Sequence, residues 1–273
     1  MIFGLNEFKI LRDFIYKKTG IYIGNEKVYF LKKRVMDRLK ELNIDNINNY
    51  IHYLKYVDRR GKELQELINS ITINETYFFR EFSQLQAFGE VCLYEVIENK
   101  GSQDIKILSA GCSSGEEPYT LSIIMQELLD PPYTYKIYGV DIDENILKKA
   151  RAGIYNEYSI KHVPQPYLEK YFIITEDGKY KIKNNVKKYV EFFKANLSDS
   201  NSLLKLGKGF DFIFCRNVLI YFSEESRREV IETFYSMLNS GGYIFLGHSE
   251  SMSRISNAFK LKRAGDMIVY QKP

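Results

Sequence analysis

Two stretches of this chain place chemically competent residues where a ligand can reach them. The first is SAGCSSGEEP (109–118), in which two glycines stand between an apolar run and a helical one. Glycines at such a junction let a ligand approach the backbone, and the start of the following helix favours polar or anionic groups. The spacing is Gly-x-x-x-Gly, short of the full dinucleotide fingerprint. Asp141 ends the next apolar run. A carboxylate there can accept hydrogen bonds from both hydroxyls of a ribose. Taken singly, the loop could be a plain turn and Asp141 a solvated strand end. Taken together they point to a nucleoside-type ligand, with NAD and S-adenosylmethionine both open. The second stretch is INSITINETYFFRE (68–81). Asn74, Thr76 and Arg80 stand among apolar residues, and Phe78-Phe79 would bury the base of the Arg80 side chain. Thr72 or Asn74 also suits a helix N-cap.

Those residues need elements to position them. Residues 1–70 read as helices, with Phe3, Phe8, Leu11, Phe14 and Ile15 at helical spacing, then Val28, Leu31, Val35, Leu39 and Leu42, then Tyr50, Leu54 and Val57. Residues 71–100 form a linker and a helix. From 101 to 273 strands alternate with helices, which predicts a parallel sheet with crossovers. Strands are expected at 104–111, 135–142, 188–197, 210–222 and 241–250, with helices at 116–129, 144–153 and 223–238. Ser223 and Ser226 supply cap chemistry for the last helix. The segments near 259–263 and 267–271 are joined by RAGD only, so they must form a hairpin, and the sheet must end with an antiparallel strand. Residues 154–187 interrupt the alternation; with Asp177-Gly178 as a turn signal, they read as a small inserted β-subdomain.

Two features choose between the ligands. A terminal hairpin closes the seven-stranded sheets of methyltransferases. Glu116 and Glu117 stand where a dinucleotide would bring a pyrophosphate, and carboxylates there suit a cationic sulfonium better. Composition is that of an ordinary globular protein: 273 residues, 45% hydrophobic and 27% charged, with a net charge of +4. That charge is too small to imply a nucleic-acid partner. No run approaches the ~20 apolar residues of a membrane span. Early charges at Glu7, Lys9, Arg12 and Asp13 are unlike a signal peptide, so a cytoplasmic location is expected. Three scattered cysteines and three histidines suggest neither a disulfide framework nor a metal centre.

Five ordered blocks, ITINETYFFRE, SAGCSSGEEPYTL, DIDENILKKARAGIY, FCRNVLIYF and GHSES, resemble the CheR-type chemotaxis receptor methyltransferases across essentially the whole chain. The resemblance implies an α/β fold of the class I S-adenosylmethionine-dependent methyltransferase type, a Rossmann-like sheet. An all-helical N-terminal domain would dock the receptor. It implies methylation of glutamate side chains on the cytoplasmic helical bundle of membrane chemoreceptors, with S-adenosylhomocysteine as product and no metal. Position by position, it assigns Asn74, Thr76 and Arg80 to cofactor contact from the linker. Glu116 follows the glycine loop, and Asp141 binds the ribose. Asn196 and Leu197 border the adenine; Arg216 and Asn217 lie under the methionine moiety. The turn TEDGKY is shorter than in the enteric relatives, so binding of a receptor's C-terminal pentapeptide tether is not expected.

The segment KVYFLKKRVMDRLK (27–40) is strongly basic, and its apolar stripe Val28–Leu31–Val35–Leu39 turns the bases outward. Lys32, Arg34 and Arg38 are therefore expected to dock a Glu-rich receptor helix, with Lys55, Arg59 and Arg60 as a second cluster. Arg80 and Tyr221 are expected at the reacting group. Exposed Tyr155, Tyr158 and Tyr180 would serve the insert. Competing readings are a methyltransferase of another substrate and a non-catalytic module that binds cofactor and receptor. The protein is expected to act as a monomer recruited to receptor arrays.

Overall fold

The computed structural model describes residues 3–273; Met1 and Ile2, which open the 1–70 segment, lie outside the described residues. Four helices come first: α1 (Leu5–Thr19), α2 (Val28–Glu41), α3 (Ile47–His52) and α4 (Lys62–Ile71). Each buries the stripe its periodicity marks. Phe8, Leu11 and Ile15 of α1 join Leu31, Val35 and Leu39 of α2 in one apolar cluster with Ile47, Tyr50 and Leu67. α3 runs on through a π-helical turn at Tyr53–Val57, which leaves Val57 53% exposed rather than in the core. Thr72 closes α4 instead of capping a new helix, since its N–H donates to Ile68 O at 3.1 Å. The linker then passes to α5 (Phe82–Ala87) and α6 (Leu93–Asn99).

The α/β part starts with β1 (Asp104–Ala110), α7 (Glu116–Leu128), β2 (Thr134–Asp141) and α8 (Glu144–Ala152). The insert follows, with β3 (Ile154–Tyr155), α9 (Glu157–Ile160), α10 (Gln165–Tyr171), β4 (Phe172–Ile174) and β5 (Tyr180–Ile182). Its strands form a separate antiparallel sheet in the order β3-β5-β4, and Gly178 turns the β4–β5 hairpin at φ +73°. After α11 (Asn184–Lys187) come β6 (Val190–Lys194), α12 (Ser200–Leu204), β7 (Phe210–Cys215), α13 (Glu224–Met237), β8 (Leu238–Leu246), β9 (Lys260–Ala264) and β10 (Met267–Gln271). Ser223 caps α13 by accepting from Ser226 N at 3.1 Å, as its residue type predicts.

The main sheet has seven strands in the order β6-β2-β1-β7-β8-β10-β9. The first five are parallel, and β10 runs antiparallel between β8 and the edge strand β9. Alternate residues feed opposite faces. Ile107, Phe212, Phe214 and Phe245 pack with Phe88 and Leu121 on one side. Leu108, Ile213, Cys215 and Ile244 pack with Val230, Ile231 and Phe234 of α13 on the other. Strand order reverses between β1 and β7, which opens a crevice at their carboxyl ends. No helix among the described residues is long and apolar enough to cross a membrane.

Candidate functional site

The crevice at the carboxyl ends of β1, β2 and β7 is roofed by the helical domain and the linker. A cleft of about 1080 Å³, open mouth included, is lined there by residues from six separated parts of the chain. Thr19 and Ile21 arrive from the end of α1, and residues 71–80 from the linker. Gly111–Ser113 and Glu117 come from the β1–α7 junction, Asp141 and Ile142 from the end of β2, Asn196 and Leu197 from beyond β6, and 216–222 from beyond β7. The domains are tied across it: Tyr22 N donates to Tyr221 O at 2.8 Å, and Gln65 Nε2 to Ile142 O at 2.8 Å.

Backbone strain gathers at the same place. Five described non-glycine residues have positive φ, and four of them, Phe79, Glu81, Ser113 and Asn217, surround the cleft. Such conformations persist where the surroundings hold them, and they concentrate at functional sites. Gly111 is needed for a second reason: at φ +75°, an added Cβ would lie 2.5 Å from Val218 Cγ2. The chain can cross over β1 only without a side chain there.

Asp141 is buried, and both its oxygens are engaged, Oδ2 by Ser113 N at 2.9 Å and Oδ1 by Asp143 N at 2.9 Å. Burial pushes its carboxyl up to about 6 against those two stabilising donors. Asn74 is held by Asp143, its Nδ2 donating to Oδ2 at 3.0 Å, while Asp143 Oδ1 caps α8 through Asn145 and Ile146. Asn196 donates to Lys18 O at 2.9 Å and accepts from Ser198 N at 3.1 Å, so it fixes the loop against α1. Thr76, Arg80, Leu197 and Tyr221 complete the wall.

At the inner end, Arg216 is the hub. Its Nη1 donates to Glu117 Oε2 at 3.2 Å, and its Nη2 to Arg80 O and to Glu81 Oε2 at 3.3 Å. Asn217 Nδ2 donates to Glu81 Oε1 at 3.1 Å. Burial pushes the Glu117 carboxyl up, with Arg216 opposing it. Two buried polar atoms here have no partner, Arg216 Nε and Asn217 Oδ1. An arginine and an amide lining one end of the cleft suit a zwitterionic amino-acid group, carboxylate to the arginine and ammonium to the amide oxygen.

Two sequence expectations are corrected. The Glu116 side chain does not line the cleft. It is buried beneath it, accepting from Ser114 Oγ at 2.6 Å and Ser159 Oγ at 3.0 Å, and so ties the glycine loop to the insert. Glu117 faces the cleft instead. Tyr155 is 4% exposed rather than open for packing on a partner, and its hydroxyl donates to Ser114 O at 2.9 Å. Glu81, Asp143 and Glu250 had no assigned role, although all three fall inside the quoted blocks.

The expected docking bases also differ among themselves. Arg38 does not project into solvent: it forks onto buried Glu63, with Nε to Oε1 at 3.0 Å and Nη2 to Oε2 at 2.6 Å, and Tyr50 donates to the same carboxylate. Arg34 is half-buried with its guanidinium 5.2 Å from the Phe30 ring centre, and Lys32 is half-buried. Lys55, Arg59 and Arg60 are exposed, as are Lys33 and Lys40 of α2.

The Asp141 carboxylate accepts ribose hydroxyls most strongly when ionised. A ligand that needs that state competes with a proton below about pH 6. We expect S-adenosylhomocysteine affinity, followed by calorimetry, to be flat near pH 7 and roughly tenfold weaker at pH 5. Ligand-free stability should respond to this group in the opposite sense. Its folded value lies above the unfolded one, so its ionisation costs stability as pH rises from about 4 to 6. Asp141→Asn should abolish the pH dependence; an unchanged acid slope in that variant would remove Asp141 from the ribose site.

The chain matches known protein families over most of its length. Residues 6–72 match the family described as CheR methyltransferase, all-alpha domain, and residues 74–267 match CheR methyltransferase, SAM binding domain. Chemotaxis protein methyltransferase 2 of Vibrio cholerae is 43% identical, over 98% of this chain and 93% of its own. The chemotaxis protein methyltransferase of Borreliella burgdorferi is 36% identical over 90% and 88%, respectively. Chemotaxis protein methyltransferase 1 of Pseudomonas aeruginosa is 32% identical over 97% of both chains.

Proposed function

The chain belongs to the CheR methyltransferase family, and from that premise we propose that it methylates glutamate side-chain carboxylates on the cytoplasmic helical bundles of membrane chemoreceptors. The products would be glutamate methyl esters and S-adenosylhomocysteine. The observation that carries the cofactor end is that Arg216 and Asn217 line the same cleft as Asp141. When bound, S-adenosylmethionine supplies a methyl group activated by a positively charged sulfur. Asp141 would hold its ribose, Arg216, Asn217 and Glu81 its amino-acid end, and Asn196 with Leu197 its base.

The acceptor carboxylate is already ionised near neutral pH, so no general base is needed. The protein's work is to orient the carboxylate and exclude water. Arg80 is suited to orienting. Its Nη1 donates to Glu75 O at 2.7 Å and its guanidinium lies 5.7 Å from the Tyr77 ring, yet no other hydrogen bond commits it among the described residues. The Tyr221 hydroxyl likewise has no hydrogen-bond partner among them, and burial pushes it up from its usual value. It stays protonated near neutral pH and can donate a hydrogen bond to the incoming carboxylate. The exposed bases Lys33, Lys40, Arg59 and Arg60 supply a positive field for a Glu-rich partner. The hairpin Thr175–Lys179 closes with a short turn, Gly178 N donating to Thr175 O at 2.9 Å. We read this as methylation that does not require a receptor tether peptide. The site of action is the cytoplasmic face of receptor arrays, with the protein as a monomer.

The test is transfer of radioactive methyl from S-adenosylmethionine to receptor-bearing membranes. Base-labile label on the receptor band is expected. Arg80→Ala should lower its rate at least tenfold, with little change in thermal unfolding, because its side chain makes one hydrogen bond at the rim. Label on nucleic acid or small molecules, or label stable to base, would overturn the reading of substrate.

A further inference from the structure

Glu250 does not itself line the cleft, yet it holds the loop that forms the cleft's inner wall. It stands past the end of β8, in the run Gly247-His248-Ser249-Glu250. Its Oε2 accepts from Gly247 N at 2.7 Å and Asn217 N at 2.9 Å. Its Oε1 accepts from Val218 N at 3.1 Å and Ile220 N at 3.2 Å. One carboxylate thus binds four backbone donors from two loops. No lysine or arginine pairs with it among the described residues, so those N–H dipoles are what offset its charge.

Three of the four donors belong to residues 217–220, and the far side of that loop carries Asn217, Val218 and Tyr221 into the cleft. Asn217 sits at φ +59°, in the left-handed region that asparagine enters more readily than most residues, and here its backbone and side chain are both anchored. Glu250 holds its N–H, and Glu81 its side-chain amide. Gly247 completes the clamp: an added Cβ would lie 2.7 Å from Asn217 N, 2.8 Å from Asn217 Nδ2 and 2.8 Å from Glu250 Oε2. The end of β8 is therefore shaped to bring backbone and carboxylate against Asn217 together.

We propose that Glu250 is a positioning residue for methyl transfer, holding Asn217 in its left-handed conformation so that its side chain lines the cleft at the amino-acid end of the cofactor. This rests on Asn217 contacting that end. Glutamine at 250 keeps the volume but turns one acceptor into an NH₂ group facing N–H donors, so the clamp loses half its grip.

The experiment is a double-mutant cycle of E250Q and N217A, reading S-adenosylhomocysteine affinity by calorimetry on protein shown to be folded by thermal unfolding. E250Q should weaken binding about tenfold, a factor worth ~1.4 kcal/mol. In the N217A background, E250Q should cost less than about twofold more, because the group it positions is gone. A loose fold alone would not produce that non-additivity. Affinity of folded E250Q within about twofold of the parent would overturn the proposal, and so would losses that multiply in the double variant. If E250Q does not fold, G247A pushes on Asn217 from the other side, and unchanged affinity there overturns it equally. Failure of the underlying contact shows separately, as N217A alone binding like the parent.

Discussion

Arg216→Ala should lower stability by roughly 3–5 kcal/mol, the usual cost of removing one member of a buried charge pair. Its side chain is 3% exposed, and its two carboxylate partners, Glu81 and Glu117, are 12% and 17% exposed. Both are left without their cation in a site that water reaches poorly. The pH dependence identifies the cause. Burial already raises Glu117 and Arg216 lowers it, so without the arginine Glu117 binds a proton more readily in the folded state. A carboxyl raised in the folded state costs stability as pH increases. The variant should therefore lose more stability at pH 8 than at pH 5, measured by urea unfolding, and Glu117→Gln should partly rescue it. An equal loss at both pH values would mean that Arg216 matters only for packing. Cofactor affinity should fall as well, because Arg216 lines the cleft.

Arg38→Ala should likewise destabilise the protein by about 3–5 kcal/mol, and for the same reason. Glu63 is 4% exposed and depends on the Arg38 fork and the Tyr50 hydroxyl. Reversing the charge at 38 would unfold the helical domain and so could not report on docking. Reversal at exposed Lys33 and Lys40 should instead leave thermal unfolding within about 0.5 kcal/mol of the parent and raise the KM for receptor. That rise should shrink as salt screens exposed charges over about 8–10 Å. An Arg38→Ala protein as stable as the parent would show that the Arg38–Glu63 pair is dispensable.

Local patterns in the sequence were enough for the helical stripes, the Ser223 cap, the glycine loop, the inserted hairpin and the antiparallel end of the sheet. Each depends on neighbours a few residues apart, and a 3.6- or 2-residue period records which face is buried. The expected strands at 188–197, 210–222 and 241–250 ran long or began late, because apolar character continues past the last ladder bond. Arg216 stands where β7 gives way to loop. The resemblance supplied the cluster Asn74, Asp141, Asn196 and Arg216, whose members do meet around one cleft.

Tertiary structure decided what long side chains do. Arg38 borders its helix's apolar stripe next to Leu39, so the period alone cannot say whether it extends into water or folds over onto a carboxylate 25 residues away. Glu116 and Glu117 differ by ~100° around α7, and packing of Tyr119 and Leu121 rotates the second into the cleft and the first beneath it. The Arg216–Glu81 pair spans 135 residues, and the Glu250 clamp joins loops 30–33 residues apart. Such polar contacts carry no periodicity, because burial and geometry create them only after the apolar pattern has brought the strand ends together.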